Sequence, residues 1–580
     1  MLKELERWKQ FAELDEELRQ QLNDMEADET ELEDAFSGRL SFGTGGIRGK
    51  LGPGPNRMNI YTVRRAVKGL AEYLKRHVAN YDDRGVVIAY DSRHQSKRFA
   101  LEAAKVLGAN GIKTHLFESI QPTPLLSFTV RHLGAAAGIM ITASHNPPEY
   151  NGMKVYNEKG SQITLAEADE MIRLIDEVED ELAVETKSES LLREQKLLNT
   201  LYDDIAFGYL EQISQLSKWS DDEKLDPKSL RIVYTPLHGT ATKLVENGLK
   251  QLGFKHVHIV EEQAVPDPDF KTVQTPNPEE KEAFALAIEL GEQVDADILL
   301  ATDPDADRLG VAVKNALGGY ELLTGNQLGA LLLDYTLEHM DEKFYPMARM
   351  IKTIVTSELG RAIASSYGVK TIDTLTGFKY IAQKINEFET TGETFVFGYE
   401  ESYGYLLSAS VRDKDGIQAA LIACEIAEKC KQEGKTLLDK LDELYERHGW
   451  YKEAVESLTL EGAAGQKKIN SLMERFRKST IKTFGDLRAL YKEDYLKGEK
   501  IDVNDPKNVE TLYLPKENVV KYILENNCWV CLRPSGTEPK IKWYYGAYGR
   551  TESEAEARLD MLKHTLREMI IEEKHMQMSN

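Results

Sequence analysis

Ser144 stands in the segment TASHNPPEYNGMKVY, residues 142–156, directly after the apolar run GIMI. Pro147 and Pro148 stop that segment from continuing as a helix or central strand, which puts the serine on a loop at a strand end. Ligands of α/β sheets collect beyond the carboxyl ends of strands. A hydroxyl in such a place becomes a nucleophile if its surroundings activate it. Lys154, just downstream, can bring a positive charge to the same place. The Ser-His-Asn run by itself says little. His145 is too near in sequence to be assumed the base of a triad, and no G-x-S-x-G surrounds Ser144.

A second constellation lies in ADILLATDPDADRLGVAV, where Asp303, Asp305 and Asp307 alternate at the end of an apolar run. Alternate side chains of an extended backbone share a face, so the spacing predicts three carboxylates side by side. They repel one another unless a cation sits between them, and hard oxygen ligands in this number suit Mg²⁺. An EF-hand loop is excluded, because its sixth and twelfth positions would need Gly and Glu where Arg308 and Lys314 stand. A solvated acidic loop is the plainer alternative. A carboxylate cluster at a strand end is nevertheless where metal-assisted phosphoryl chemistry is built. Arg308, next to the cluster, can hold a phosphate or a carboxylate.

Three further segments carry polar groups on loops. FGTGGIRGKLGPGPNRMN, residues 42–59, is glycine-rich and presents Arg48. It fails as a Walker A loop at Thr44 and Leu51 and as a dinucleotide fingerprint at Arg48, so neither ATP nor NAD is supported. RPSGTEPK, residues 533–540, combines the fork of Arg533 with the hydroxyls of Ser535 and Thr537. Gly536 lets backbone N–H groups form an anion nest there. FVFGYEESYGY, residues 395–405, offers Glu400 and Ser402 to sugar hydroxyls, and TLTGFKY supplies Gly377 and Lys379 nearby.

The elements that must position these groups repeat. GVVIAYDSR, RIVYTPLHGT and MIKTIVTS read as buried strands. Each is followed by a helical stretch, a glycine (Gly111, Gly253, Gly368) and a second strand, a β-α-β plan that makes parallel sheets. The last part of the chain changes character, with short strands such as NCWVCLR before one terminal helix, which suggests a smaller α+β domain. Thr551 and Glu554 have capping-box spacing, and Leu559, Leu562, Leu566 and Met569 form one apolar stripe. Linkers are expected near 200–230, 315–325 and 450–470, the last at EGAAGQ.

With 580 residues, several domains are expected. The 73 Lys and Arg against 96 Asp and Glu give a net charge of −23, a field that repels nucleic acid. Any phosphate site must be a local basic pocket overriding that field. The charged amino-terminal helix has no signal-peptide core, and no long apolar run predicts a membrane span. Four cysteines are too few for a disulfide scaffold, and Cys528 and Cys531 read as core thiols. A cytoplasmic address is expected.

Taken together, the five loop segments resemble the α-D-phosphohexomutase superfamily, in its order and over nearly the whole chain. TASHNP resembles its phosphoserine loop, DPDADR its magnesium loop, GYEES its sugar loop and RPSGTEP its phosphate loop. The resemblance implies an α/β fold of four domains around a central cleft, the first three similar with mixed sheets, the fourth a smaller α+β domain. The boundaries expected are 1–205, 206–322, 323–455 and 456–580. It implies that phosphorylated Ser144 exchanges its phosphoryl group with a sugar phosphate, with Mg²⁺ on Ser144, Asp303, Asp305 and Asp307. Lys154 and Arg48 are implied near the transferring group, as candidates for proton transfer. His145, Arg308, Gly377, Lys379, Glu400, Ser402, Arg533, Ser535, Gly536 and Thr537 are implied in substrate binding. Asp91 and Arg93 match a structural motif beside the serine loop.

Phe378-Lys379 after the domain-three glycine looks like glucose-type members, whereas mannose-type members often carry His there. Tyr399 and Tyr403 resemble the phosphoglucomutase-2/phosphopentomutase branch. The activity implied is interconversion of glucose 1-phosphate and glucose 6-phosphate, with glucose 1,6-bisphosphate as intermediate and activator. Pentose and mannose phosphates are the alternatives. A Mg-dependent sugar phosphatase and a non-catalytic sugar-phosphate sensor are more distant ones. No membrane or nucleic-acid partner is expected, and the assembly expected is a monomer or dimer.

Overall fold

The computed structural model describes residues 1–219, 228–460, 462–534 and 540–576. It divides into two compact units, Met1–Leu328 with Phe378–Leu437, and Gly329–Gly377 with Leu438–Asn580.

The first unit contains two sheets on one plan. In the first sheet, β2 (Val86–Tyr90), β3 (Thr114–Phe117), β4 (Ala137–Ile141) and β6 (Leu198–Leu201) run parallel. The antiparallel pair β1 (Gly46–Lys50) and β5 (Tyr150–Asn157) closes one edge against β4. In the second, β7 (Lys228–Thr235), β8 (Phe254–Ile259) and β9 (Ile298–Thr302) are parallel. There β10 (Leu309–Lys314) and β11 (Tyr320–Leu322) form the antiparallel edge. Further strands of this unit are β14 (Thr394–Glu400) and β15 (Gly404–Leu406), an antiparallel pair. The central strands are buried on both faces, which is why they read as unbroken apolar runs rather than alternating ones.

In the second unit, β12 (Ala348–Thr353) and β13 (Lys370–Thr374) are parallel. The three β-α-β repeats read from the sequence are therefore all present. Helices Ser96–Ala109, Thr242–Gln251 and Leu359–Ser366 make the crossovers. Gly111 and Gly368 follow their helices with φ of 76° and 72°, a conformation that costs an L-residue about 1 kcal/mol or more. The residue after each glycine closes the helix end, with Ile112 N donating to Leu107 O at 3.0 Å and Val369 N to Ala364 O at 2.9 Å.

The rest of the second unit is a strand-rich antiparallel sheet covered by helices Gly462–Lys478 and Glu552–Met576. Its core joins Leu472 and Phe476 of the first helix, Leu562 and Leu566 of the second, and Tyr522, Val530 and Tyr545 of the sheet. Leu559, Leu562 and Leu566 of the expected apolar stripe are buried, and Met569 is half-buried beside them. Glu554 N donates to Thr551 Oγ1 at 3.3 Å, while the Glu554 carboxylate accepts from Arg550 N at 2.7 Å. All four cysteines are buried.

Two expected linkers are instead built structure. Residues 315–325 include the edge strand β11, and residues 450–470 hold the strand Trp450–Thr459 and the start of the helix Gly462–Lys478. Gly465 in that stretch marks close approach, since a Cβ there would lie 1.9 Å from Leu460 O. Near 200–230 stand β6 and the helix Asp204–Ser214, and residues 220–227 lie outside the described residues.

Candidate functional site

The loops that carry the chemistry occupy corresponding places in the fold. Ser144 lies between β4 and β5, the aspartates lie between β9 and β10, and Glu401–Tyr403 lie between β14 and β15. In each case a buried strand turns back into an antiparallel neighbour. A repeated plan thus presents a serine hydroxyl, a carboxylate nest and a polar loop from equivalent turns.

Ser144 is buried and left-handed, with φ of 51°. That conformation costs about 1–3 kcal/mol and persists only where surrounding bonds over-determine it. Here the bonds come from Arg93. Its guanidinium donates to the carbonyls of Ser144, Asn146, Pro147 and Tyr150 and pairs with buried Asp91 at 3.4 Å. Ser144 N also donates to Thr142 Oγ1 at 2.8 Å. The hydroxyl is thereby aimed at the next repeat, and Ser144 Oγ donates to Asp303 Oδ2 at 2.6 Å. His145 Nδ1 lies 3.2 Å from the same Oγ. Burial, then Arg308 and Arg48, hold His145 well below the ordinary imidazole range, so its ring is neutral at pH 7.

The three aspartates are buried, and one oxygen of each lies within 4.8 Å of the others. They converge through a turn rather than through the extended backbone expected from their alternation. Ala306 is left-handed, with φ of 53°, and its N donates to Asp303 O at 2.9 Å. Arg308 N caps the turn on Asp303 Oδ1 at 3.0 Å. A turn brings the three carboxylates closer to a common centre than a strand repeat near 6.6–6.8 Å would.

The nest fits a divalent cation. Asp305 Oδ1 and Asp307 Oδ1 are buried without a hydrogen-bond donor, and the donor set is all hard oxygen. Burial, with the Asp305 and Asp307 carboxylates, pushes the Asp303 carboxyl well above its usual range. A bound cation removes that penalty.

Two ammonium groups share the remaining oxygens. Lys154 Nζ lies 2.7 Å from Asp305 Oδ2 and 3.0 Å from Asp307 Oδ2. Burial alone would lower its pKa, but these carboxylates outweigh that and hold the ammonium above its ordinary value. In this arrangement the Lys154 ammonium is held between Asp305 and Asp307. Lys414 Nζ, which sequence reasoning missed, lies 3.1 Å from Asp307 Oδ2. It also sits against the sugar-type loop, since a Cβ on Gly404 would meet Lys414 Cδ at 2.2 Å and Glu400 Oε2 at 3.5 Å. Thr123 Oγ1 donates to Asp305 Oδ2 at 2.8 Å. Nothing near Lys414 or Thr123 in sequence marks them, because they reach the nest only through the packing of distant elements.

Arg48 reaches the serine loop, with Nη1 donating to Asn146 Oδ1 at 2.8 Å. It shares a face of the β1–β5 pair with Lys154, because Arg48 is opposite Gly152 and Gly46 is opposite Lys154. Arg308 extends its guanidinium to Glu279, a partner that sequence reasoning did not name. Glu400 is buried at the end of β14 and Ser402 is half-buried in the turn after it. Leu309 N donates to Tyr403 O at 3.1 Å, which ties that turn to the aspartate loop. Lys379 Nζ donates to Thr44 O at 3.3 Å in the glycine-rich loop.

Of the remaining candidates, Gly377 and Arg533 belong to the second unit. Gly377 is left-handed, with φ of 117°. Arg533, at the end of the strand Trp529–Pro534, holds Glu517 at 3.0 Å. Ser535, Gly536 and Thr537 lie outside the described residues.

The repeated sheets and the carboxylate nest define an α/β protein with a cluster that could hold a metal ion. Profiles of the phosphoglucomutase/phosphomannomutase family match domain I at residues 39–182, domain II at 208–319 and domain III at 324–448. A phosphoglucomutase of Staphylococcus aureus strain RF122 is 40% identical over 515 residues, covering 89% of this chain and 90% of that protein. One from Staphylococcus epidermidis RP62A is 39% identical over 514 residues, covering 89% and 92%. Among solved structures, a phosphoglucomutase/phosphomannomutase family protein from Burkholderia thailandensis has a TM-score of 0.67 at 20% identity, covering 92% of this chain and 97% of its own. Parafusin from Paramecium, in an open form, also has a TM-score of 0.67 at 17% identity, covering 91% and 94%, a likeness of fold. The chain belongs to the phosphoglucomutase/phosphomannomutase family of the α-D-phosphohexomutase superfamily, and is a mutase. Its fold is three α/β domains with mixed sheets and a fourth, strand-rich domain. Among the described residues no helix is long and apolar enough to cross a membrane.

Proposed function

We propose that this mutase interconverts glucose 1-phosphate and glucose 6-phosphate through glucose 1,6-bisphosphate, with Ser144 as the phosphoryl carrier and Mg²⁺ as its cation. The observation that carries the reading is the 2.6 Å approach of Ser144 Oγ to Asp303 Oδ2 inside a buried nest of three carboxylates. A carboxylate beside a serine hydroxyl can accept its proton and so activate it. The nest serves further if the serine bears a phosphoryl group and a cation lies between them. Phosphoserine carries about −1.5 to −2 charge, which three carboxylates would repel. Bound on Asp303, Asp305 and Asp307, Mg²⁺ would supply charge neutralisation for the phosphoryl group in transfer.

The residues of the chain do the rest. Arg93 and the left-handed backbone hold Ser144 in line with the nest. Lys154 and Arg48 hold positive charge on the face where the phosphoryl oxygens gather. In the forward half-reaction the Ser144 Oγ–P bond breaks, a bond forms from phosphorus to a sugar hydroxyl oxygen, and the proton of that hydroxyl ends on Ser144 Oγ. In the return half, the other phosphate of the bisphosphate moves to Ser144. Arg308, Lys379, Glu400 and Ser402 are proposed to grip the sugar phosphate. Gly377 and Arg533, with Ser535, Gly536 and Thr537, are proposed as the rest of the substrate grip, on the family resemblance. Domain boundaries near 205, 322 and 455 follow from the same reading.

The test is mass mapping of the purified protein for phosphate on Ser144, followed by kcat/KM on glucose, mannose and ribose 1-phosphates. Phosphate on Ser144, loss of turnover in Ser144→Ala and a preference for glucose are expected. A ribose preference above about tenfold refutes the glucose assignment, and stoichiometric release of inorganic phosphate refutes the mutase mechanism.

A further inference from the structure

Asp413 takes no direct part in the site described above, yet it is 1% exposed and committed to three partners around that site. Its Oδ2 accepts from Tyr156 Oη at 2.7 Å and from Gln162 Nε2 at 3.0 Å. Its Oδ1 accepts from Lys414 N at 2.8 Å and lies 3.6 Å from Lys414 Nζ. The Lys414 ammonium therefore lies between two carboxylates, Asp413 behind it and Asp307 at 3.1 Å in front.

The partners of Asp413 belong to the elements that carry the other cations. Tyr156 is fully buried on β5, two residues beyond Lys154, so both side chains leave the same face of the strand. Gln162 lies directly under the glycine-rich loop, where a Cβ on Gly45 would be 2.9 Å from Gln162 Oε1. Gly45 O in turn accepts from Val155 N at 3.0 Å on β5. One carboxylate thus joins Lys414 to the strand of Lys154 and to the glycine-rich loop that leads into the strand of Arg48.

We infer that Asp413, held by Tyr156 and Gln162, is a positioning residue that fixes the Lys414 ammonium against Asp307 and couples it to the β5 strand. The reasoning is one of hydrogen-bond and charge geometry. Without a fixed anion behind it, a four-carbon side chain bearing a point charge is free to leave Asp307 for water. With Asp413 in place the ammonium is shared, and its distance from Asp307 is set by a buried tyrosine hydroxyl rather than by solvent. The same geometry predicts an antagonism. Lys414 and a divalent cation both draw on Asp307, so loosening Lys414 leaves more negative potential for the cation.

The inference rests on the site being one for metal-assisted phosphoryl transfer, and the experiment separates the two. Tyr156→Phe removes a single hydroxyl and keeps the packed ring, and Asp413→Asn removes the charge. Each is compared with the wild type for thermal midpoint, for Mn²⁺ affinity by electron paramagnetic resonance, and for kcat and KM on glucose 1-phosphate. Tyr156→Phe is expected to lower kcat about tenfold, with KM within about twofold, the cost of one misdirected charge-assisted bond. Its Mn²⁺ affinity is expected to rise by about threefold. Turnover and Mn²⁺ affinity falling together with the midpoint would mean a merely structural role and overturn the inference. So would kcat and Mn²⁺ affinity both unchanged. If Asp413→Asn does not fold, Tyr156→Phe decides alone. If the wild type lacks mutase activity on every sugar phosphate, the proposed function fails, and the opposite-sign shift in Mn²⁺ affinity still reads the Lys414 geometry.

Discussion

Replacing Arg93 by lysine should disarm Ser144 without touching it. The guanidinium serves four carbonyls of the serine loop and a buried carboxylate, Asp91, and also stacks 4.9 Å over the Phe270 ring. Hydrogen bonds from a charged donor contribute about 1.5–3 kcal/mol each, and they are not additive. A lysine ammonium at the same place reaches one or two of the acceptors and cannot reproduce the planar fork. The net loss expected for Arg93→Lys is therefore about 3–4 kcal/mol of unfolding free energy, since breaking a buried pair outright costs about 3–5 kcal/mol. The functional loss is expected to be larger in proportion. Ser144 holds its φ of 51° only because its own carbonyl and those of Asn146 and Pro147 are tied down. Released, it relaxes to negative φ and its Oγ leaves Asp303. A displacement near 1 Å at the reacting centre costs on the order of 10²-fold in rate. Urea unfolding measures the first quantity, and single-turnover transfer from ³²P-labelled enzyme to glucose 1-phosphate measures the second. A variant within about 1 kcal/mol of the wild type that transfers phosphate at an undiminished rate would refute the cradle argument.

Magnesium at about a hundred times its Kd should stabilise the protein by about 2.7 kcal/mol, because it binds a nest that exists only in the folded chain. The gain, read by thermal or urea unfolding, should vanish in Asp305→Asn; a gain that survives would place the cation elsewhere. Burial pushes the Asp415 carboxyl from 3.8 up to about 6, against hydrogen bonds from Gln418 N, Tyr209 Oη and Ile417 N. Because the folded pKa is the higher one, this group's stabilisation is complete below about pH 4 and is lost as pH rises through 6. Asp415→Asn lacks that loss, so its stability relative to wild type should improve by up to about 3 kcal/mol between pH 4 and pH 7. A pH-independent difference would contradict it.

Much of the architecture is legible in the residues because it is local. A buried parallel strand must be apolar throughout, a crossover helix must end where Gly111, Gly253 or Gly368 takes a left-handed turn, and such signals lie within a short stretch of chain. EGAAGQ misleads for the same reason, since small residues look alike whether they loosen a linker or admit a backbone contact such as that at Gly465. At the site, residue types foretell the chemistry while packing determines the partners. Pro147 and Pro148 put Ser144 on a loop, and the aspartate spacing announces a cation nest. That Ala306 closes the nest by a left-handed turn, that Arg308 is held by Glu279, and that Thr123 reaches Asp305 cannot be read from neighbours in the chain.

By itself, then, the sequence determined the repeated β-α-β plan and the family, and it nominated Ser144, Asp303, Asp305 and Asp307 for the site. Tertiary structure alone decided how the serine is aimed, which ammonium groups share the carboxylates, and that Asp413 stands behind Lys414. The physical reason is range. Backbone propensity and hydrophobic period act between residues a few positions apart, whereas charges and hydrogen bonds act between atoms a few ångströms apart, and only the folded chain makes those two measures of nearness coincide.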